Sequence, residues 1–182
     1  MINWKTIDIK KLAAIVAVSL QKNGIDALLV GGACVSIYSK NKYLSHDLDF
    51  VTHASIKEIS AVLSEIGFER EHTRHFVRKD CPFFIEFVAP PAAIGNEPVR
   101  RKNELRTKLG TILLLTPTDC VKDRLSAYYH WNDPQSLDQA CLVAQQHKIN
   151  YTEIRCWSEK EGFKDRYIRF RNTIRRKLPG GK

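Results

Sequence analysis

Asp47 and Asp49 flank a single leucine in the run Asp47-Leu48-Asp49-Phe50-Val51-Thr52. Polar and apolar residues alternate there as in a strand, so both carboxylates point to one face and Leu48 and Phe50 to the other. Cα atoms two apart on a strand lie roughly 6–7 Å apart, and two charges so close repel unless a cation sits between them. A third acid, Glu86, interrupts the otherwise apolar run Phe83-Phe84-Ile85-Glu86-Phe87-Val88. Glutamate is seldom buried without a partner. If the two strands pair side by side, Asp47, Asp49 and Glu86 make a three-carboxylate site. Oxygen-only donors suit Mg²⁺ or Mn²⁺, and two such ions organise an in-line displacement at phosphorus. Glu97 and Glu104 are the other candidates for the third acid, although neither sits in an apolar strand. Solvated acids on edge strands are the plainer alternative.

Gly31 and Gly32 offer a second kind of chemistry. They follow a short apolar run, residues 26–30, and precede a helical stretch, residues 33–39. Glycines there let the backbone approach phosphate oxygens, and the helix start supplies free N–H groups and the positive end of its dipole. A tight turn without a ligand accounts for the same pair.

These groups need a scaffold, and the hydrophobic pattern describes one. Residues 7–23 carry apolar positions at helical spacing and stop at Asn23-Gly24; residues 55–66 form a second amphipathic helix stopped by Gly67. Strands are expected at 26–30, 47–52, 68–78, 83–88 and 110–115, with a basic loop containing some strand at 94–108. From Thr116-Pro117 onward the pattern is helical, at 118–129, 135–147, 150–161 and 163–177, before a Pro-Gly-Gly-Lys tail. The fold class is α+β: a sheet flanked by helices over residues 1–115, followed by a C-terminal helical segment over 116–182.

A chain of 182 residues with 43% hydrophobic content can bury a real core. No apolar run approaches the roughly 18 residues that span a bilayer, and the N-terminus lacks a signal-peptide pattern. A cytoplasmic location is expected, with no membrane partner. The excess of 29 Lys+Arg over 20 Asp+Glu, a formal charge of +9, suits a triphosphate or a nucleic acid. Five scattered cysteines argue against a disulfide framework or a zinc knuckle. Cys34 and Cys141 read as small core residues.

Gly31-Gly32, a helix, Ser45-His46-Asp47-Leu48-Asp49-Phe50 and a later strand acid together resemble the DNA polymerase beta-like nucleotidyltransferase superfamily. The resemblance covers about the first half of the chain. It implies a mixed sheet flanked by helices, Mg²⁺ (or Mn²⁺), and a nucleoside triphosphate such as ATP held at Gly31, Gly32 and Ser45. Asp47 and Asp49 would bind metal, and Glu86 would help activate the attacking hydroxyl. The spacer between Gly32 and Asp47 is long for the superfamily, and the third acid is Glu where Asp is commoner. Further along, Thr116-Pro117-Thr118-Asp119-Cys120-Val121-Lys122-Asp123-Arg124 resembles a helix of small stand-alone prokaryotic nucleotidyltransferases, some of them toxins of toxin–antitoxin pairs. That resemblance implies a nucleotide-facing lysine, Lys122, with Asp119 or Asp138 beside it. A solvated helix face explains each of these residues equally well.

Other polar groups carry weaker signals. His72 and His75, three apart on one strand, would face opposite sides and make no metal pair. His46 lies at the mouth of the expected site. Tyr128, Tyr129, His130 and Trp131 read as a helix end packed on the core, and Arg166, Arg169, Arg171, Arg175, Arg176 and Lys177 as a basic helix. The leading reading is a metal-dependent transferase that moves a nucleoside monophosphate to a hydroxyl of RNA, protein or a small molecule such as an aminoglycoside. The alternative is a non-catalytic nucleotide- or nucleic-acid-binding module, or a toxin–antitoxin component. Oligomeric state is not legible.

Overall fold

The computed structural model describes residues 2–177. The Pro-Gly-Gly-Lys tail lies outside them. After a 3-10 turn at Trp4–Thr6 come α1 (Ile9–Lys22), β1 (Leu28–Val30), α2 (Gly31–Tyr38), β2 (Asp47–Val51) and α3 (Ile56–Glu65). Then follow β3 (Glu69–His72), β4 (His75–Val77), β5 (Phe84–Val88), β6 (Ala93–Ile94), β7 (Glu97–Pro98), β8 (Lys102–Arg106) and β9 (Thr111–Leu115). The chain continues as α4 (Pro117–Trp131), α5 (Pro134–Gln146), α6 (Tyr151–Lys160) and α7 (Lys164–Lys177). The α+β expectation holds.

Local chemistry explains most boundaries. Asp8 caps α1 by accepting from the Lys11 N–H, and Ser55 with Glu58 makes a capping box at α3. Thr116 caps α4 with Pro117 in its first turn, and Asp133 does the same for α5 before Pro134. Two expectations need correction. Gly31 and Gly32 are the first turn of α2, so the strand passes into the helix with no loop between. Residues 68–78 are a hairpin, β3 and β4 turning at Thr73-Arg74. Every residue of β3 is exposed, so no apolar alternation marks where that strand ends, and the turn lacks Gly, Pro or Asn.

Seven strands form one mixed sheet in the order β3-β4-β5-β2-β1-β9-β8, and β6 and β7 form a separate hairpin. β2 runs parallel to β5, and β1 parallel to β9; the other neighbours are antiparallel. The parallel β1 and β9 each lead into a helix, so α2 and α4 start at the same end of the sheet and pack together. A continuous core runs from Ile7 to Ile174, through Leu48 and Phe50 of β2 and Ile85 and Phe87 of β5. The segments before and after residue 116 therefore share it.

The β6–β7 hairpin is tied to the C-terminal helices. Trp157 Nε1 donates to the Ile94 carbonyl at 3.3 Å, the Asn96 N–H donates to Glu161 at 2.9 Å, and Glu97 pairs with Lys122 and Lys160. Among the described residues, no helix is long and apolar enough to cross a membrane. Trp157 is both fully buried and the hairpin's anchor. Trp157→Ala is expected to cost about 3–5 kcal/mol, read as a lower urea midpoint, and to loosen the hairpin, read as faster amide exchange at residues 93–98.

Candidate active site

Strand register gathers the acids. Asp49 lies opposite Glu86 on β5 and opposite Val30 on β1, while Asp47 lies opposite Phe84. Side chains of paired residues share a face, so Asp47, Asp49 and Glu86 all project from the same side of the sheet. Leu48 and Phe50 point the other way and are fully buried. Asp47 and Asp49 are half-buried; Glu86 is exposed.

Each acid is held differently. Ser45 donates its hydroxyl to Asp47, and the Ser45 N–H in turn donates to Ser36 Oγ at 2.8 Å. The Asp49 carboxylate leans over Gly31: a Cβ at that position would collide with Asp49 Oδ2. Gly31 also has φ +66°, a left-handed conformation that disfavours any side chain. Gly32 is required for a second reason, since a Cβ there would lie 2.5 Å from Ser45 Oγ. The glycines and Ser45 thus hold the two aspartates against the first turn of α2.

Burial, followed by the charges of Asp47 and Glu86, pushes the Asp49 carboxyl up to about 7. Arg124 of α4 opposes that rise. Its guanidinium is gripped by Asp123 at 2.6 and 2.9 Å and lies 3.4 Å from Gln139 Oε1. Arg124 and Asp123 line one cleft of about 360 Å³ together with Gly31, Asp49 and Glu86, and its other wall is apolar, from Val51, Val88, Ile94 and Val99. Three clustered carboxylates, all-oxygen donors and a surplus of negative charge fit a divalent cation. Among the described residues, no three His, Cys, Asp or Glu side chains already surround one point.

Gly31, Asp49 and Glu86 share the cleft, with Asp47 beside Asp49. Ser45 is buried beneath them. Lys122 lies elsewhere, in a separate pocket with Glu97, Asp119 and Glu153, and its ammonium pairs with all three at 3.1–3.7 Å. The cation of this helix that reaches the cleft is Arg124, two residues on. Sequence reasoning named this segment and Lys122; helical spacing alone does not show that Lys122 and Arg124, about 200° apart on the helix, meet different pockets. Glu97 pairs with Lys122 and Lys160, and Glu104 is exposed on the edge strand β8. Neither lines the cleft.

Residues 9–85 match a family model described as a nucleotidyl transferase of unknown function. No curated protein matches the sequence. Among solved structures, the chain resembles an antigenic nucleotidyltransferase-like protein from Paracoccidioides brasiliensis, with 17% identity, 74% of each chain covered and a TM-score of 0.57. It also resembles the antibiotic-resistance factor ANT(2'')-Ia in solution, with 12% identity over 92% of this chain and 98% of that one and a TM-score of 0.52. At these identities the likeness is one of fold: the chain has the nucleotidyltransferase fold.

Two outcomes follow from the packing around Asp49. Gly31→Ala is expected to lower stability by about 1–3 kcal/mol and to displace Asp49, measured by denaturation and by a changed pH dependence of stability. Because the folded Asp49 keeps its proton to about pH 7 while the unfolded chain releases it near 3.8, its contribution to stability is present at low pH and lost as pH rises toward 7. Asp49→Asn should flatten that decline between pH 4 and pH 7 in thermal melts of the metal-free protein; an unchanged slope would refute the assignment.

Proposed function

We propose that this chain, which matches a nucleotidyl transferase family model over residues 9–85 and shares the fold of its structural neighbours, moves a nucleoside monophosphate from a nucleoside triphosphate such as ATP to an acceptor hydroxyl. The observation that carries this reading is the in-register row of Val30, Asp49 and Glu86, with Gly31 pressed against the Asp49 carboxylate. It sets a phosphate-approachable turn beside the acids. In the reaction the acceptor oxygen bonds to the α-phosphorus, the bond from that phosphorus to the bridging oxygen breaks, and pyrophosphate leaves.

Asp47, Asp49 and Glu86 are the residues that would hold Mg²⁺ or Mn²⁺. The ion would neutralise the triphosphate and make the acceptor hydroxyl more acidic. Glu86, exposed at the open side of the row, accepts the hydroxyl proton. The Gly31 and Gly32 backbone at the start of α2 receives phosphate oxygens. Arg124, oriented by Asp123, adds a fixed cation over Asp49 and binds the phosphates. The apolar wall of the cleft excludes water from the other side. Lys122, neutralised by its own carboxylates, takes no phosphate in this scheme.

Incubation with each α-labelled nucleoside triphosphate, Mg²⁺, total RNA and total protein tests the reading. Label is expected on an acceptor with the native chain and not with the Asp47→Ala/Asp49→Ala double variant. Absence of both transfer and metal-dependent nucleotide binding by calorimetry would overturn it and favour a binding module without turnover. Arg124→Lys keeps the charge but loses the planar fork, so transfer should fall roughly tenfold to a hundredfold through the triphosphate KM.

A further inference from the structure

The row of paired residues that carries the acids extends past Glu86. His75 on β4 lies opposite Glu86, and His72 on β3 lies opposite His75. Across four neighbouring strands the order is therefore His72, His75, Glu86, Asp49, with Val30 and the Gly31 turn next. The expectation that His72 and His75 face opposite sides fails, because the turn at Thr73-Arg74 folds one back on the other. Their rings are 6.0 Å apart, and both Nε2 atoms approach Glu71 Oε2, at 3.7 and 3.6 Å.

Glu86 also borders a second hollow, of about 340 Å³, lined by His72, Thr73, Arg74 and His75. It thus stands between two pockets: the cleft with Gly31, Asp49 and Arg124 on one side, and the hairpin hollow on the other. Among the described residues, Arg74 is the one permanent cation lining that hollow. Its Nη1 is buried and has no hydrogen-bond partner among the described residues. The other such atom, Arg78 Nε, lies 2.6 Å from Asp80. A buried guanidinium nitrogen without an acceptor is costly, and turning the guanidinium toward an anion in the hollow that Arg74 lines would supply one.

Resting on the nucleotidyl-transfer reading above, we infer that the β3–β4 hollow is the acceptor site and that Arg74, with His75 beside it, binds a phosphate ester of the acceptor. The acceptor is then a phosphorylated molecule whose hydroxyl reaches Glu86 while its own phosphate sits on Arg74, as at the 3′ end of a nucleic acid strand. Neighbouring strands are about 4.8 Å apart, so the hollow and Glu86 fall within the reach of one nucleotide. The two pockets divide the labour: triphosphate on the Gly31 side, acceptor on the His75 side, and the proton-accepting carboxylate at their boundary.

The test measures probe binding with the first cleft saturated by a non-hydrolysable triphosphate analogue and Mg²⁺. The probes are a labelled short oligouridylate with a free 3′-hydroxyl, uridine 5′-monophosphate, and uridine. Binding of the oligonucleotide, and its weakening roughly tenfold to a hundredfold by Arg74→Ala with affinity for the triphosphate analogue unchanged, supports the site. Competition by the monophosphate but not by uridine assigns the recognition to phosphate; binding of the oligonucleotide alone assigns it to the polymer's linkage. Arg70→Ala, which removes an exposed cation of the same hairpin outside the hollow, should change nothing. Equal weakening by the two variants, or none by Arg74→Ala, overturns the inference. Failure of the triphosphate analogue to bind would instead refute the transfer reading, while the Arg74 comparison would still decide whether a phosphate site exists.

Discussion

The contact between the Asp49 carboxylate and the backbone of Gly31 is the constraint from which the site is built. It requires β1 and β2 to pair so that Val30 lies opposite Asp49, and it requires residue 31 to lack a Cβ. It also requires the chain to enter α2 through a left-handed residue. Together these bring a helix start, whose first N–H groups have no partner within the helix, against a half-buried acid. Neither partner gains from this arrangement in isolation. Asp49 is raised toward neutral pH by its surroundings, and Gly31 is held where other residues are strained.

The rest of the fold supports that contact from behind. Leu48, Phe50, Ile85 and Phe87 anchor β2 and β5 in the core, so the acids between them cannot turn inward. Ser45 links Asp47 to α2 through Ser36. Parallel pairing of β1 with β9 sets α4 beside α2 and brings Arg124 over Asp49, with Asp123 fixing the guanidinium. The β6–β7 hairpin closes one wall and is itself fastened to α4 and α6 through Lys122, Lys160 and Trp157. The C-terminal helices therefore serve the cleft at two points, one electrostatic and one mechanical.

Much of this was legible from residue types. The alternation at 47–52 gave a strand with two acids on one face, the apolar run at 83–88 isolated Glu86, and apolar spacing with glycine and proline boundaries placed most helices within a residue or two. Those signals are local: side-chain alternation has a period of two, and capping needs neighbours within three or four positions. The hairpin at 69–77 was missed because an exposed, polar edge strand has no apolar period and its turn uses unspecialised residues. Asp119, one turn before Lys122 on α4, was expected beside it and is there; the pairing of Lys122 with Glu97 and Glu153 was missed because those acids come from β7 and α6.

By itself the sequence determined the α+β order of elements, the candidate carboxylates and the glycine pair between strand and helix, since each depends on contacts close along the chain. Only the tertiary structure decided which residues share a site. Register between β2 and β5 set Glu86 beside Asp49, and the β3–β4 turn carried His72 and His75 onto the same row. The rotation of α4 chose Arg124 over Lys122. A one-residue slip in pairing, or about 100° of helix rotation per residue, reverses each of those outcomes, and packing against distant segments fixes both.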